Sequence, residues 1–134
     1  RHVVDWTDHV WTEVYSEDQQ RWIHCDACED RWDGPLLYCE GWKKKLTYCI
    51  AFSKEEVVDV TCRYTRQWDL CKARRTLCPE LWLQEFIYSV SMQRRASLPP
   101  ARQQLLSARW EQEQKELEPR NWVKPANWED GEAL

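Results

Sequence analysis

Asp8-His9-Val10-Trp11-Thr12-Glu13-Val14-Tyr15 and Gln20-Arg21-Trp22-Ile23-His24-Cys25-Asp26-Ala27-Cys28-Glu29, parted by the polar break Ser16-Glu17-Asp18-Gln19, decide how this chain folds. Apolar and polar residues alternate through residues 10–14, and residues 21–25 are rich in Trp, Ile and Cys. Both segments therefore read as strands of one hairpin. A symmetric turn at the break sets His9 directly across from Asp26, Trp11 across from His24 and Glu13 across from Trp22. Side chains alternate along a strand, so these residues share one face, while Val10, Val14 and Ile23 point to the other. The expectation is one apolar face and one face of titratable groups.

Opposed residues on neighbouring strands have Cβ atoms about 5 Å apart, close enough for an imidazole N–H to reach a carboxylate. Such a contact has a chemical use. The carboxylate fixes the tautomer and orientation of the ring, which leaves the second nitrogen to activate a thiol or hydroxyl nucleophile. His9 and Asp26 are the candidate catalytic pair, set against the plainer reading of a surface ion pair. His24 reads as a structural or rim residue against Trp11. Trp11 and Trp22 read as aromatic core or as exposed stacking surfaces, with Trp22 the better core residue. Glu13 and Glu29 also fit a glycosidase acid/base pair, but that mechanism depends on a separation that residue order does not set.

Further along, residues 46–52 and 57–61 are β-prone runs around the charged turn Ser53-Lys54-Glu55-Glu56, and Asp33-Gly34-Pro35 marks a turn between the two pairs. After Thr76 the β-branched runs stop. Leu81, Leu83, Phe86, Ile87 and Val90 recur at helical spacing and predict a helix over residues 79–95. Pro99-Pro100 breaks it, and residues 101–117 predict a second helix with Leu105, Leu106 and Trp110 as a thin apolar stripe. Its charge run from Glu111 to Glu118 reads as a solvated face. The tail, with Pro119 and Pro125 and no periodicity, reads as loose. Strands followed by helices define an α+β fold. The division expected is a core over residues 1–75, a helical extension over 76–118 and a flexible tail over 119–134.

The 134 residues suit one domain, with 43% hydrophobic and 31% charged residues, and ten Trp point to an aromatic core. A net charge of −4 gives no footprint for nucleic acid or an anionic membrane, Arg74-Arg75 and Arg94-Arg95 being only local basic pairs. No apolar run nears the roughly 20 residues of a membrane span, and the charged opening from Arg1 to Asp8 is not a signal peptide. Seven irregularly spaced Cys suit reduced thiols in a cytoplasmic protein better than a disulfide scaffold. Cys25 and Cys28 form a lone Cys-x-x-Cys pair, short of the ligands a zinc site needs, so no metal is expected within this chain. With no initiator Met and a start that reads as the approach to a strand, the chain is expected to be a fragment.

The hairpin motifs resemble the His and Asp motifs of the peptide:N-glycanase family, in the transglutaminase-like superfamily. The likeness continues through Pro35-Leu36-Leu37-Tyr38, Gly41-Trp42, Lys44-Lys45-Leu46-Thr47-Tyr48, Ile50-Ala51-Phe52-Ser53-Lys54 and Val57-Val58-Asp59-Val60-Thr61 to Arg63-Tyr64-Thr65, with Ala73-Arg74-Arg75 a fainter continuation. The resemblance implies a transglutaminase-like, cysteine-protease-like antiparallel sheet, of which this is the sheet half followed by C-terminal helices. It implies a Cys-His-Asp triad in which His9 and Asp26 are the second and third members, and a substrate cleft lined by Trp11, Glu13, Trp22, Glu29 and Arg1. The reaction implied is hydrolysis of the amide joining asparagine to the innermost N-acetylglucosamine. Implied partners are denatured N-glycoproteins and glycopeptides and proteasome shuttle proteins, in the setting of ER-associated degradation. The family's nucleophilic Cys and its structural zinc lie upstream of the His motif. No Cys precedes His9 here, so the chain alone is expected to be inactive. Cys39, Cys49 and Cys62 also depart from the family pattern. Two other readings share the fold: a transglutaminase-like binding module without a triad, as in DNA-damage recognition proteins related to xeroderma pigmentosum group C, and a protein-crosslinking transglutaminase.

Overall fold

The hairpin forms where the alternation predicts it, as β2 (His9–Ser16) and β3 (Arg21–Asp26), paired antiparallel. The computed structural model describes residues 1–118, so the loose tail expected beyond them lies outside the described residues. The turn occupies residues 17–20: Ser16 pairs with Arg21, Tyr15 with Trp22, and Glu13 with His24 rather than Trp22. This corrects the expected register. Ser16 Oγ accepts the Gln19 N–H at 3.1 Å and Gln20 turns the chain in the left-handed region at φ 52°. Ser16 therefore ends a strand, and the turn moves one residue along. Moving both strands together leaves every side chain on its expected face, whereas a single-residue slip would have inverted them all.

Sequence periodicity missed β1 (His2–Asp5), which pairs antiparallel with β2 across a tight turn. The turn is held by Asp5, whose carboxylate accepts the Thr7 N–H and hydroxyl at 2.9 and 2.7 Å, and by Asp8 at φ 84°. Short polar side chains are the ones that tolerate that backbone. With β4 (Arg31–Trp32), β5 (Cys49–Phe52) and β6 (Val57–Asp59), the sheet has six strands in the order β4-β3-β2-β1-β5-β6, with every neighbouring pair antiparallel. Helices follow: α1 (Trp68–Arg74), also missed, α2 (Glu80–Arg95) and α3 (Pro100–Leu117), with Pro100 at the start of α3. No helix among the described residues is long and apolar enough to cross a membrane.

The inner sheet face carries Val3, Trp11, Ala51 and Val58, packed with Tyr38, Leu46, Val60, Tyr64 and Cys71 into one core. The expected division into an apolar and a titratable face holds in placement, but burial does not follow it: Val10 and Val14 are 50% and 42% exposed and Ile23 alone of that set is buried, whereas Glu13, His24 and Asp26 are all buried. A polar face can be the buried one because its groups satisfy one another, as the site below shows.

The two long helices dock through polar groups too. Leu81 and Phe86, expected on the buried stripe of α2, are exposed, while Ser91 and Arg95 are buried. Ser91 Oγ accepts the Val57 N–H at 2.9 Å and donates to the Val57 carbonyl at 2.8 Å, so it stands in for a strand along that part of β6. Arg95 pairs with Glu56, and Arg102 of α3 donates to Glu55 at 2.8 and 2.9 Å. Glu113, expected on a solvated face, is buried. Ser91→Ala strands two buried backbone groups, so it should destabilise the fold by about 1–3 kcal/mol. Urea denaturation of both proteins measures this, and a midpoint that does not move would show the contact to be dispensable.

Candidate active site

His9 opens β2 and Asp26 closes β3, so the hairpin brings both to one end of the sheet on the same face. In the observed register they are diagonal rather than opposed, a separation that long side chains still bridge. His9 Nε2 lies 2.9 Å from Asp26 Oδ2. Burial works against the Asp26 charge, but hydrogen bonds from Tyr38, from His9 and from the Glu29 N–H outweigh it and hold the carboxyl below its ordinary value. An ionised carboxylate only accepts, so His9 carries its proton on Nε2 and leaves Nδ1 as the nitrogen available to another group. The His9 side chain is 21% exposed and that of Asp26 2%. The pair thus opens to solvent on the imidazole side only.

Asp26 is anchored from below. Its Oδ1 accepts the Cys28 and Glu29 N–H groups at 3.1 and 3.2 Å, and its Oδ2 accepts the Tyr38 hydroxyl at 2.6 Å. Tyr38 belongs to a π-helical turn, Leu37–Gly41, and its oxygen lies 2.7 Å from His24 Nε2. Aromatic rings enclose the imidazole: Trp11, Tyr38 and Trp42 have centroids 5.8, 5.3 and 5.0 Å from that of His9. Trp11, one of the expected cleft residues, is buried and stacks on Tyr38 at 4.1 Å.

The other residues predicted to line a cleft fall into two places. Glu29 is exposed beside Asp26. Arg1, Glu13 and Trp22 instead meet in an ionic cluster at the other end of the hairpin. Arg1 donates to Glu13 at 3.2 Å and to Glu113 of α3 at 2.6 and 2.7 Å, contacts Glu56, and lies 3.7 Å over the Trp22 ring. Arg63 bridges Glu13 and Glu113 at 2.6 Å each, and the Tyr64 hydroxyl donates to Glu13 at 2.6 Å. The Glu13 side chain has no exposed surface and that of Arg1 has 1%, so in this structure both serve the cluster. Burial opposes the Glu113 charge, but Arg1 and Arg63 hold its carboxyl below the ordinary value.

The site reading from residue types missed Tyr38, Trp42, Arg63 and Glu113. A signal existed for the last two: an acidic residue at an inward strand position needs a buried cation, and Glu13 is such a residue. Tyr38 and Trp42 sit in an irregular segment where no periodicity marks them. Burial pushes the Cys39 thiol up to about 11 and the Cys62 thiol up to about 12, and leaves that of Cys49 well above its usual value. These thiols keep their protons at neutral pH and make poor nucleophiles. Cys25, next to Asp26 in β3, points to the opposite face. Among the described residues, no three His, Cys, Asp or Glu side chains gather as a metal site.

A hairpin-borne imidazole and carboxylate, at the end of an antiparallel sheet followed by helices, place the chain in a known class. Residues 6–118 match the family described as the Rad4 transglutaminase-like domain, and the chain belongs to that family. Several curated relatives share one name. The peptide-N(4)-(N-acetyl-beta-glucosaminyl)asparagine amidase of Mus musculus is 58% identical over 109 residues, 81% of this chain and 17% of that protein. The proteins of that name from Arabidopsis thaliana and Yarrowia lipolytica are 49% and 38% identical, over 88% and 93% of this chain and 16% and 35% of their own lengths. The chain therefore spans about a sixth of the length of the first two relatives and about a third of the last.

Proposed function

We propose that this domain supplies the imidazole and carboxylate of a cysteine-dependent amidase that hydrolyses the bond between asparagine and the innermost N-acetylglucosamine of misfolded N-glycoproteins. The observation that carries this reading is the 2.9 Å contact from His9 Nε2 to a buried Asp26, which leaves Nδ1 as the ring nitrogen not engaged by Asp26, on a side chain that is 21% exposed. A thiol supplied by a segment outside this chain gives its proton to His9 and attacks the side-chain carbonyl carbon. The resulting imidazolium, stabilised by Asp26, passes that proton to the amide nitrogen, the C–N bond breaks and the glycosylamine leaves. Water then attacks the thioester with His9 as base, the thiol departs, and the asparagine has become aspartate.

Trp42 at the wall of His9 and exposed Glu29 suit the sugar and peptide side of the cleft, with buried Trp11 backing the His9 ring. Arg1, Glu13 and Trp22, the other residues assigned to the cleft, act on it from the ionic cluster at the far end of the hairpin, where they hold β2 and β3 rather than touch substrate. Denatured N-glycoproteins in the cytosol, handed on to proteasome shuttle proteins, are the partners this reading assigns. The structural zinc it assigns lies outside this chain, and no step above runs through it.

The test uses the full-length parent on a denatured N-glycoprotein, with release of free glycan and conversion of asparagine to aspartate read by mass. Both products are expected. Amine incorporation into glutamine without glycan release would replace this reading with protein crosslinking. Salt-dependent DNA binding without either reaction would replace it with a binding module.

A further inference from the structure

Behind His9 and Asp26 stand a buried tyrosine and a buried histidine to which the amidase reading gives no task. We propose that His24 and Tyr38 form a one-directional hydrogen-bond chain that positions the Asp26 carboxylate, which makes Tyr38 a positioning residue for the His9–Asp26 pair. The inference rests on the amidase reading for its catalytic meaning, while the chain of bonds stands on geometry alone.

The direction of every bond follows from the one before it. The Gly34 N–H lies 3.2 Å from His24 Nδ1, and a backbone N–H can only donate, so Nδ1 is an acceptor and bears no proton. The proton of the neutral ring is then on Nε2, which donates to the Tyr38 oxygen at 2.7 Å. With its oxygen accepting from His24, Tyr38 directs its hydroxyl hydrogen to Asp26 Oδ2 at 2.6 Å. The start of the chain is held firmly. Asp33, at φ 58°, is clamped by Arg21 at 2.9 and 2.6 Å, and its N–H donates to the His24 carbonyl at 2.7 Å.

Protonation of His24 would aim two N–H groups at each other across Nδ1 and Gly34. Burial already pushes this histidine down to about 4, against the pull of Asp26, Glu13 and Asp33 and with the help of Arg63. Burial and the neighbouring Asp26 likewise keep the Tyr38 hydroxyl protonated. The chain is therefore inert to pH through the neutral range. Its output is a carboxylate whose two oxygens accept four donors: Cys28 N–H, Glu29 N–H, Tyr38 O–H and His9 N–H. That fills the acceptor sites of one carboxylate and leaves it one orientation.

A plain core role would need only the Tyr38 ring, which Phe supplies as well. The hydroxyl distinguishes the two roles. So does the backbone: π-helical turns are uncommon and cluster at functional sites, and this one sets both Tyr38 below Asp26 and Trp42 against His9.

Isotope-labelled samples of this chain test the inference by NMR without any glycan. In the wild type, His24 should show the Nε2–H tautomer and stay neutral down to about pH 5. An Nδ1–H tautomer, or titration in the ordinary histidine range, overturns the chain. In Tyr38→Phe the Asp26 carboxyl should titrate about one pH unit higher, the effect of losing one hydrogen bond to a charge. An unchanged Asp26 in a folded variant overturns it; if the variant fails to fold, the wild-type tautomer decides. In the parent protein, the acid limb of the kcat profile should rise with Asp26 while KM holds. Loss of the amidase reading alone would leave both NMR results standing, so the two failures can be told apart.

Discussion

His9→Ala in the full-length parent should lower kcat/KM for glycan release by about three orders of magnitude, with binding of the denatured glycoprotein retained. In the proposed mechanism His9 acts twice, as acid toward the leaving nitrogen and as base toward water, and proton transfer by a placed side chain contributes about 10²–10⁴. Asp26→Asn should fall nearly as far for a different reason. An asparagine amide in place of the carboxylate can donate to His9 Nε2, which moves the ring proton to Nδ1, the nitrogen the thiol needs. The corresponding exchange in a serine protease triad costs about 10⁴. Steady-state glycan release by the two variants measures both effects. Either variant cleaving at the parental rate would remove its residue from the mechanism.

Glu113→Ala should cost about 3–5 kcal/mol of stability, a large share of the roughly 5–15 kcal/mol that holds a domain together. The substitution removes the carboxylate that Arg1 and Arg63 both address and leaves two guanidinium groups in the interior with Glu13 and Glu56 alone. Urea unfolding of this chain reads the loss, and a midpoint shift equal to that of a surface Glu→Ala exchange would contradict it. The pH dependence has a definite sign. Because the folded-state carboxyl of Glu113 lies below its ordinary 4.5, its contribution is complete above that value and is lost as pH falls through the folded one. Wild-type stability should thus decline in acid below about 4.5, and Glu113→Ala should show a flatter profile there.

Strand alternation made the site legible before any coordinates: the pattern put His9 and Asp26 on one face, and they meet. Register was not legible at the same level, because it depends on one side-chain bond, Ser16 Oγ to the Gln19 N–H, that decides where the turn begins. The face survived that error only because the shift was even. Helices α2 and α3 were legible from Pro99-Pro100 and from apolar spacing, and Leu106 and Trp110 of the predicted α3 stripe do pack inward, yet Ser91, Arg95 and Glu113 are buried as well and hydrophobicity points away from all three. Four-residue β1 is too short to show a period, and α1 carries no apolar repeat. Tyr38 had a place in a recognised motif but no task, since its value lies in one hydroxyl that only three-dimensional proximity to Asp26 reveals.

The bond between Arg1 and Glu113 joins residues 112 positions apart. A chain emerging from the ribosome can close the β2–β3 hairpin early, since its contacts are local. Arg1, Arg63 and Glu13 must meanwhile stay hydrated until α3 has been synthesised. Closure of this buried cluster is therefore gated by α3, and a nascent chain halted before residue 113 would hold Arg1 and Arg63 without the carboxylate that joins them.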